Sequence, residues 1–253
     1  MSYIINTKSG SQWTTNELEL LKIEIEDQTD EEFFGKDLNL VNISKYQDVI
    51  DECIQNKQIR RLFQYINLVH YLSPDEESAV DDYAKFLIDN ILEYTSDNNY
   101  TRTRKNIKFI MCGNITNAET DICITNNESI LFLLQEDKSY NNLNNQAECQ
   151  IIAKAIAAYQ TNKIIMKNIK EYIFPAIVMV GTYPVFYKIP ITNDLDHCVR
   201  FGSKIPQNIT RVYKFNPIIN NIQSKSGMTN KINRINIMRS YEAFRPFINT
   251  NVI

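Results

Sequence analysis

The sequence predicts a mixed α/β fold, a central mixed sheet with helices on both faces. Three observations carry that prediction. An apolar stripe at helical spacing runs through Val80, Ala84, Leu87, Ile88 and Ile91. Three strand-like runs then follow one another closely between residues 107 and 135. The third of these contains Ile130-Leu131-Phe132-Leu133-Leu134, so apolar that both of its faces must be covered.

Taken in order, residues 14–27 start like a helix capped by Thr14 or Thr15. They end in alternating Ile and Glu, like a strand, and their type stays open. Residues 28–60 are acidic, with short helix-like pieces such as 45–56. No Gly/Ser or proline tract marks a linker, so residues 1–70 read as an acidic flanking segment. Residues 71–253 read as the main domain with a C-terminal helical extension. Ser73-Pro74 forms a helix start, with Ser73 as cap and Pro74 in the first position, and the helix ends near Tyr94. Ile107–Cys112 and Thr120–Thr125 are strands, and Asn126-Asn127 is a hairpin turn into Ser129–Gln135. A helix over 144–160, strands over 176–181 and 185–191, and a terminal helix over 230–248 complete the chain. The core order is therefore αβββαβ.

Bulk properties exclude several classes. Hydrophobic content of 43% and charged content of 23% argue against wholesale disorder. No apolar run reaches the ~20 residues that span a bilayer. The start, MSYIINTKSGSQW, lacks a basic stretch followed by an apolar one, so no secretory signal is expected and the cytoplasm or nucleus is the expected location. The five cysteines are scattered, with no CxxC pair, and are expected to be buried thiols. Residues 1–138 hold 25 acids against 13 Lys and Arg, a net −12. Residues 139–253 hold 5 against 14, a net +9. That split fits a polyanion-binding face beside an acidic site. It fits equally an acidic N-terminal segment packed on the basic half of the same chain.

The chemistry concentrates where the third strand ends, at Gln135-Glu136-Asp137-Lys138. Alternation puts Glu136 and Lys138 on one face. A turn at Asn126-Asn127 pairs Asp121 with residues 131–133, and only a splayed or twisted sheet brings it to the Glu136 end. Two carboxylates and a lysine are costly to bury unpaired, and a divalent cation resolves the cost.

Asp121, fourteen intervening residues and Glu136-Asp137-Lys138 resemble the D…(D/E)xK signature of the PD-(D/E)XK, or restriction-endonuclease-like, nuclease superfamily. The αβββαβ order across residues 73–191 resembles its core. Thr120 stands where that family has proline. The resemblance implies a Mg²⁺- or Mn²⁺-dependent nuclease acting on nucleic acid, DNA first. Asp121 and Glu136 would be metal ligands, with the carbonyl of Asp137 as a further one, and Lys138 would position the attacking water. Some members add a Glu from the first core helix, here Glu76 or Glu77, with Glu77 taken as the ligand. Many carry a Gln on the second helix, here Gln146 or Gln150, with Gln150 taken as the catalytic one. Both acids also suit a helix's first turn with no ligand at all. Arg102–Gly113, Glu119–Thr125, Ile130–Lys138, Ala147–Gln160 and Val180–Thr192 are in addition similar to a group of uncharacterised fungal proteins.

Arg102, Arg104 and Lys105 before the first strand, Lys154 on the second helix and Lys188 among aromatic residues are candidate phosphate contacts. Ordinary solvated charge explains the same residues. His70 and His197 sit in no ligand or catalytic spacing and read as structural or surface residues. No P-loop and no GxSxG motif is present. The competing functional reading is a catalytically silent nuclease fold acting as a binding module or intracellular effector.

Overall fold

The computed structural model describes residues 5–72, 76–127, 129–136, 145–167, 169–217 and 226–249, with the backbone alone for Glu77, Glu136, Asn145 and Asn249. Its centre is a seven-stranded mixed sheet in the order β1-β7-β6-β5-β4-β3-β2. The strands are β1 (Ile23–Asp27), β2 (Tyr100–Met111), β3 (Asn114–Asn126), β4 (Ser129–Glu136), β5 (Glu171–Val180), β6 (Tyr183–Thr192) and β7 (Thr210–Phe215). The helices are α1 (Thr15–Leu20), α2 (Asp30–Phe34), α3 (Gln47–Ile50), α4 (Lys57–Asn67), α5 (Glu77–Phe86), α6 (Asn145–Ile165), α7 (Asn193–Phe201) and α8 (Lys231–Asn249).

The expected meander is present and longer than the apolar runs suggested. β2, β3 and β4 pair antiparallel, β4 then pairs parallel with β5, and α6 makes the crossover. Tight turns fix the hairpins. Cys112 and Gly113 both take positive φ between β2 and β3, as a two-residue turn matched to strand twist requires. Their N–H groups donate to the carbonyls of Val199 and Arg200 at the end of α7.

Two short elements escape a reading by apolar periodicity. β7 (TRVYKF) and α7 (NDLDHCVRF) are short and carry several charges, so neither shows a long periodic run. The open stretch 14–27 turns out to be both things in sequence, helix α1 and then strand β1. β1 pairs parallel with β7, so the N-terminal stretch supplies one edge of the sheet. The proposed cap Ser73-Pro74 lies outside the described residues, and α5 runs from Glu77 with Glu76 at its N-cap.

α6 lies on one face of the sheet and is buried from Ala147 to Gln160 apart from Gln150. Its other side is covered by the N-terminal segment. Gly10 makes that possible, because a Cβ there would lie 2.7 Å from Ala118 Cβ. A helix enclosed from both sides has no polar face to show, which is why Ile, Ala, Cys and Tyr surround it. The opposite face of the sheet carries α8 and α5. There Tyr241 and Phe244 pack edge-on against Phe186, and Tyr94 packs against Phe132.

Part of the charge asymmetry is consumed within the chain. Asp51 pairs with Lys231 at 2.6 Å and Glu52 with Arg234 at 2.7 Å. Glu26 and Asp27 lie 3.8 and 3.9 Å from Arg211 and Lys214. Lys45 crosses the other way to Glu242 at 2.9 Å. All five cysteines are free, four of them buried.

Candidate functional site

Register decides what meets what. Asn126 pairs with Ser129, so the turn lies one residue later than the Asn126-Asn127 reading places it. A β-bulge at Ile124/Thr125 then shifts the ladder by one more step. Ile122 therefore pairs with Leu134, and the next rung sets Asp121 across from Gln135. The expected pairing of Asp121 with 131–133 is corrected by turn and bulge together. No splay of the sheet is needed to carry Asp121 to the end of β4.

Asp121 and Gln135 both reach toward α6, where they meet Lys154. The Lys154 ammonium donates to the Gln135 carboxamide oxygen and lies 3.6 Å from Asp121 Oδ2. The Lys154 side chain is only 5% exposed, whereas that of Asp121 is 28% exposed. Burial pushes the Lys154 pKa below its ordinary value. The charge and hydrogen bonding of Asp121 oppose that shift, followed by the charges of Glu119 and Asp81. A buried cation is thus held by an acidic surround in which Asp121 makes the direct ion pair. Lys154, proposed as an open phosphate contact, is instead an interior partner of Asp121 and Gln135.

The basic residues of β2 border this cluster. Arg102 pairs with Cys123 and Lys105 with Thr120, on either side of the Asp121 position. Burial raises the Cys123 pKa, while Lys105, Arg102 and Lys154 all act on the thiol in the opposite direction. Between them Arg104 is exposed and takes φ +49°, rare for a residue with a side chain. The basic border expected from residues 139–253 is thus supplied by the edge strand β2, from the acidic half of the chain.

Other candidates fall elsewhere. Lys188 lies on the opposite face of the sheet from Lys154. Its neighbour Tyr187 reaches Glu148 of α6 through its hydroxyl, and alternation turns Lys188 the other way. The ammonium donates to the Phe33 carbonyl at 2.5 Å and sits over the rings of Phe33 and Phe247. Lys154 and Lys188 therefore cannot serve one site. Gln150 donates to the Ser11 carbonyl at 3.2 Å, which ties it to the N-terminal segment, and Gln146 is exposed. Glu76 accepts a hydrogen bond from Ser78 Oγ at 2.7 Å, local chemistry of a helix start. The side chains of Glu77 and Glu136, and the whole of Asp137 and Lys138, lie outside the described residues.

Two participants were missed from sequence. Gln135 is a neutral amide directly before a run of acid and base, and nothing in its local sequence distinguishes it. Asp81 lies next to Val80 of the α5 stripe and is the α5 acid whose charge reaches Lys154. Its position one helical turn after Glu77 was the available signal. His70 is structural, as expected. Its Nε2 is 2.7 Å from Thr182 Oγ1, and that oxygen accepts from the Met228 N–H at 3.0 Å.

Among the described residues, no group of three or more His, Cys, Asp or Glu side chains is arranged to hold a metal ion. No described helix is long and apolar enough to cross a membrane. No protein-family model and no curated protein matches the chain.

Proposed function

We propose that this chain is a divalent-metal-dependent nuclease of the restriction-endonuclease type, hydrolysing phosphodiester bonds in DNA. The observation that carries the reading is the register that sets Asp121 across from Gln135 at the end of β4; alternation turns the next residue, Glu136, toward the α5 face, so a shared ion requires the chain to leave the strand at Glu136. A partly open carboxylate stands there next to a buried, acid-surrounded lysine.

The described part of the site suits a hard cation. Mg²⁺ takes one or two carboxylates and fills its remaining positions with water and substrate phosphate. Asp121 offers a partly exposed carboxylate 3.6 Å from the Lys154 ammonium. Asp121 and Glu136 would hold the ion, with the Asp137 carbonyl and Glu77 as further ligands. A bound Mg²⁺ or Mn²⁺ lowers the pKa of a coordinated water and neutralises charge developing on the phosphate.

The chain's own residues do the rest. Lys154 anchors Asp121 and Gln135 against α6, so the carboxylate holds one orientation. Lys138 orients the attacking water. The water oxygen bonds to phosphorus as the phosphorus–oxygen bond to the departing sugar breaks. Arg102, Arg104 and Lys105 contact neighbouring phosphates along the exposed edge of β2.

A second reading is favoured by one feature, the ion pair itself. Lys154 partly neutralises Asp121, as a retired site used only for binding would allow. Plasmid nicking with Mg²⁺ or Mn²⁺, run beside calorimetric Mn²⁺ titration, separates the two. The wild type should nick and bind Mn²⁺. Lys138→Ala should lose nicking and keep the ion, and Glu136→Ala should lose both. A wild type that neither binds Mn²⁺ nor nicks DNA leaves the binding-module reading in place.

A further inference from the structure

A second candidate site lies at the other end of the sheet and owes nothing to the nuclease reading. β1 and β7 run parallel, and immediately beyond their carboxyl ends is a pocket of about 590 Å³. That volume is within the usual range for small-molecule sites. Ligands of open α/β sheets collect in the crevice beyond the carboxyl ends of the strands. The floor comes from Asp27, Gln28 and Asp30 after β1 and from Phe215 and Asn216 at the end of β7, and α8 contributes Arg239.

Two polar atoms in this lining are buried and have no hydrogen-bond partner among the described residues, Gln28 Oε1 and Arg239 Nε. Neither residue is slack. The Gln28 N–H donates to the Lys214 carbonyl at 2.8 Å, and Arg239 Nη1 donates to Asn39 Oδ1 at 2.9 Å. Backbone and side chain are therefore held while one acceptor and one donor stay open. Leaving such groups unmet costs free energy, and a ligand presenting a donor and an acceptor would recover it.

The remaining lining narrows the ligand class. The Phe215 ring offers an apolar wall for a planar group. Asp27 and Asp30 offer carboxylate acceptors, the chemistry that receives ribose hydroxyls in dinucleotide folds. Asp30 already accepts the Leu38 N–H at 3.1 Å through Oδ2, leaving its other oxygen. Three acids line the pocket, Asp27, Asp30 and Glu32, against Arg239 and the Lys214 that pairs with Asp27, an acidic balance that disfavours phosphate. We infer that this pocket binds a nucleoside: a planar base meets Gln28 and Arg239, sugar hydroxyls meet Asp27 and Asp30, and no phosphate is carried.

The test is calorimetric titration of the full chain with adenosine, guanosine, cytidine and uridine, each to about 5 mM, and with their 5′-monophosphates. At least one nucleoside should bind, and its monophosphate should bind at least tenfold more weakly. Gln28→Met keeps the side chain's length and removes the acceptor. It should weaken the nucleoside about tenfold while raising the melting temperature of the ligand-free protein, because an unmet buried acceptor is gone. A residue with only a structural role would not move those two readouts in opposite directions. No heat from any nucleoside would show that the pocket holds solvent only, and would overturn the proposal. So would a monophosphate binding as tightly as its nucleoside, or Gln28→Met binding like wild type. None of these results depends on whether the chain cleaves DNA.

Discussion

Lys154→Met tests the central geometric claim, that Lys154 is an interior anchor rather than a surface cation. Methionine preserves the unbranched stem and its packing, and volume-conserving swaps of this kind cost under about 1.5 kcal/mol. What disappears is the donor to buried Gln135 and the charge beside Asp121. A buried acceptor deprived of its donor costs about 1–3 kcal/mol. The pair with Asp121, whose side chain is 28% exposed, adds no more than about 1 kcal/mol after solvent screening. Release from holding a desolvated ammonium acts in the opposite direction. The net expectation is a loss of about 1–3 kcal/mol. For a chain of this size that lowers Tm by roughly 2–12 °C.

The pH dependence makes the test sharper. The Lys154 pKa is lowered by burial in the folded state, so between that value and the ordinary 10.5 the unfolded chain holds a proton that the folded chain has released. Stability contributed through Lys154 therefore rises with pH across that window, and the methionine variant lacks the rise. Urea unfolding of both proteins from pH 7 to 10 reads it directly, and the stability gap should widen toward alkaline pH. A variant within about 0.5 kcal/mol of wild type, the usual scatter of surface substitutions, with a gap that stays flat or narrows, would show that Lys154 is solvated.

Four further outcomes follow from the same structure. Burial works to raise the Glu242 pKa, but hydrogen bonds from Arg245, Lys45 and Tyr46 hold it at about 2. Its stabilisation should be complete above the ordinary value of 4.5 and lost as pH falls toward 2, and acid unfolding of Glu242→Gln should lack that component. Gly10→Ala forces a Cβ to 2.7 Å from Ala118 Cβ and should cost about 1–3 kcal/mol in urea unfolding, since the N-terminal cover over α6 must shift. Burial lowers the His70 pKa, so its contribution should be present above 6.5 and fall away as pH drops below it. Thr182→Val should cost about 1–3 kcal/mol, by leaving His70 and the Met228 N–H without their shared oxygen. If the β2 edge carries DNA, replacing Arg102, Arg104 and Lys105 together with alanine should weaken binding uniformly across sequences. The salt dependence in a fluorescence-anisotropy titration should fall by up to about three phosphate contacts, and an unchanged slope would place DNA elsewhere.

Local patterns were enough to reveal the centre of this protein. The Leu-rich run of β4 required two covered faces, Asn126-Asn127 marked a hairpin to within one residue, and the helical stripe of α5 stood out, because each signal is written within a few neighbouring residues. The charge imbalance between the halves was equally plain, though its destination was not. Which acids meet which bases depends on pairings such as Glu52 with Arg234, nearly two hundred residues apart, and no local rule sets those. The same limit applied at the candidate site. The residues after β4 announced themselves by composition, yet the contact of Asp121 with Lys154 and Gln135 depends on a bulge and a one-residue change of turn. Side chains alternate with a period of two, so each single-residue shift of a ladder exchanges the faces of everything beyond it. Lys154 and Lys188 look alike as basic residues beside apolar ones. Only the assembled sheet, with α6 on one side and α8 on the other, decided that they belong to different faces.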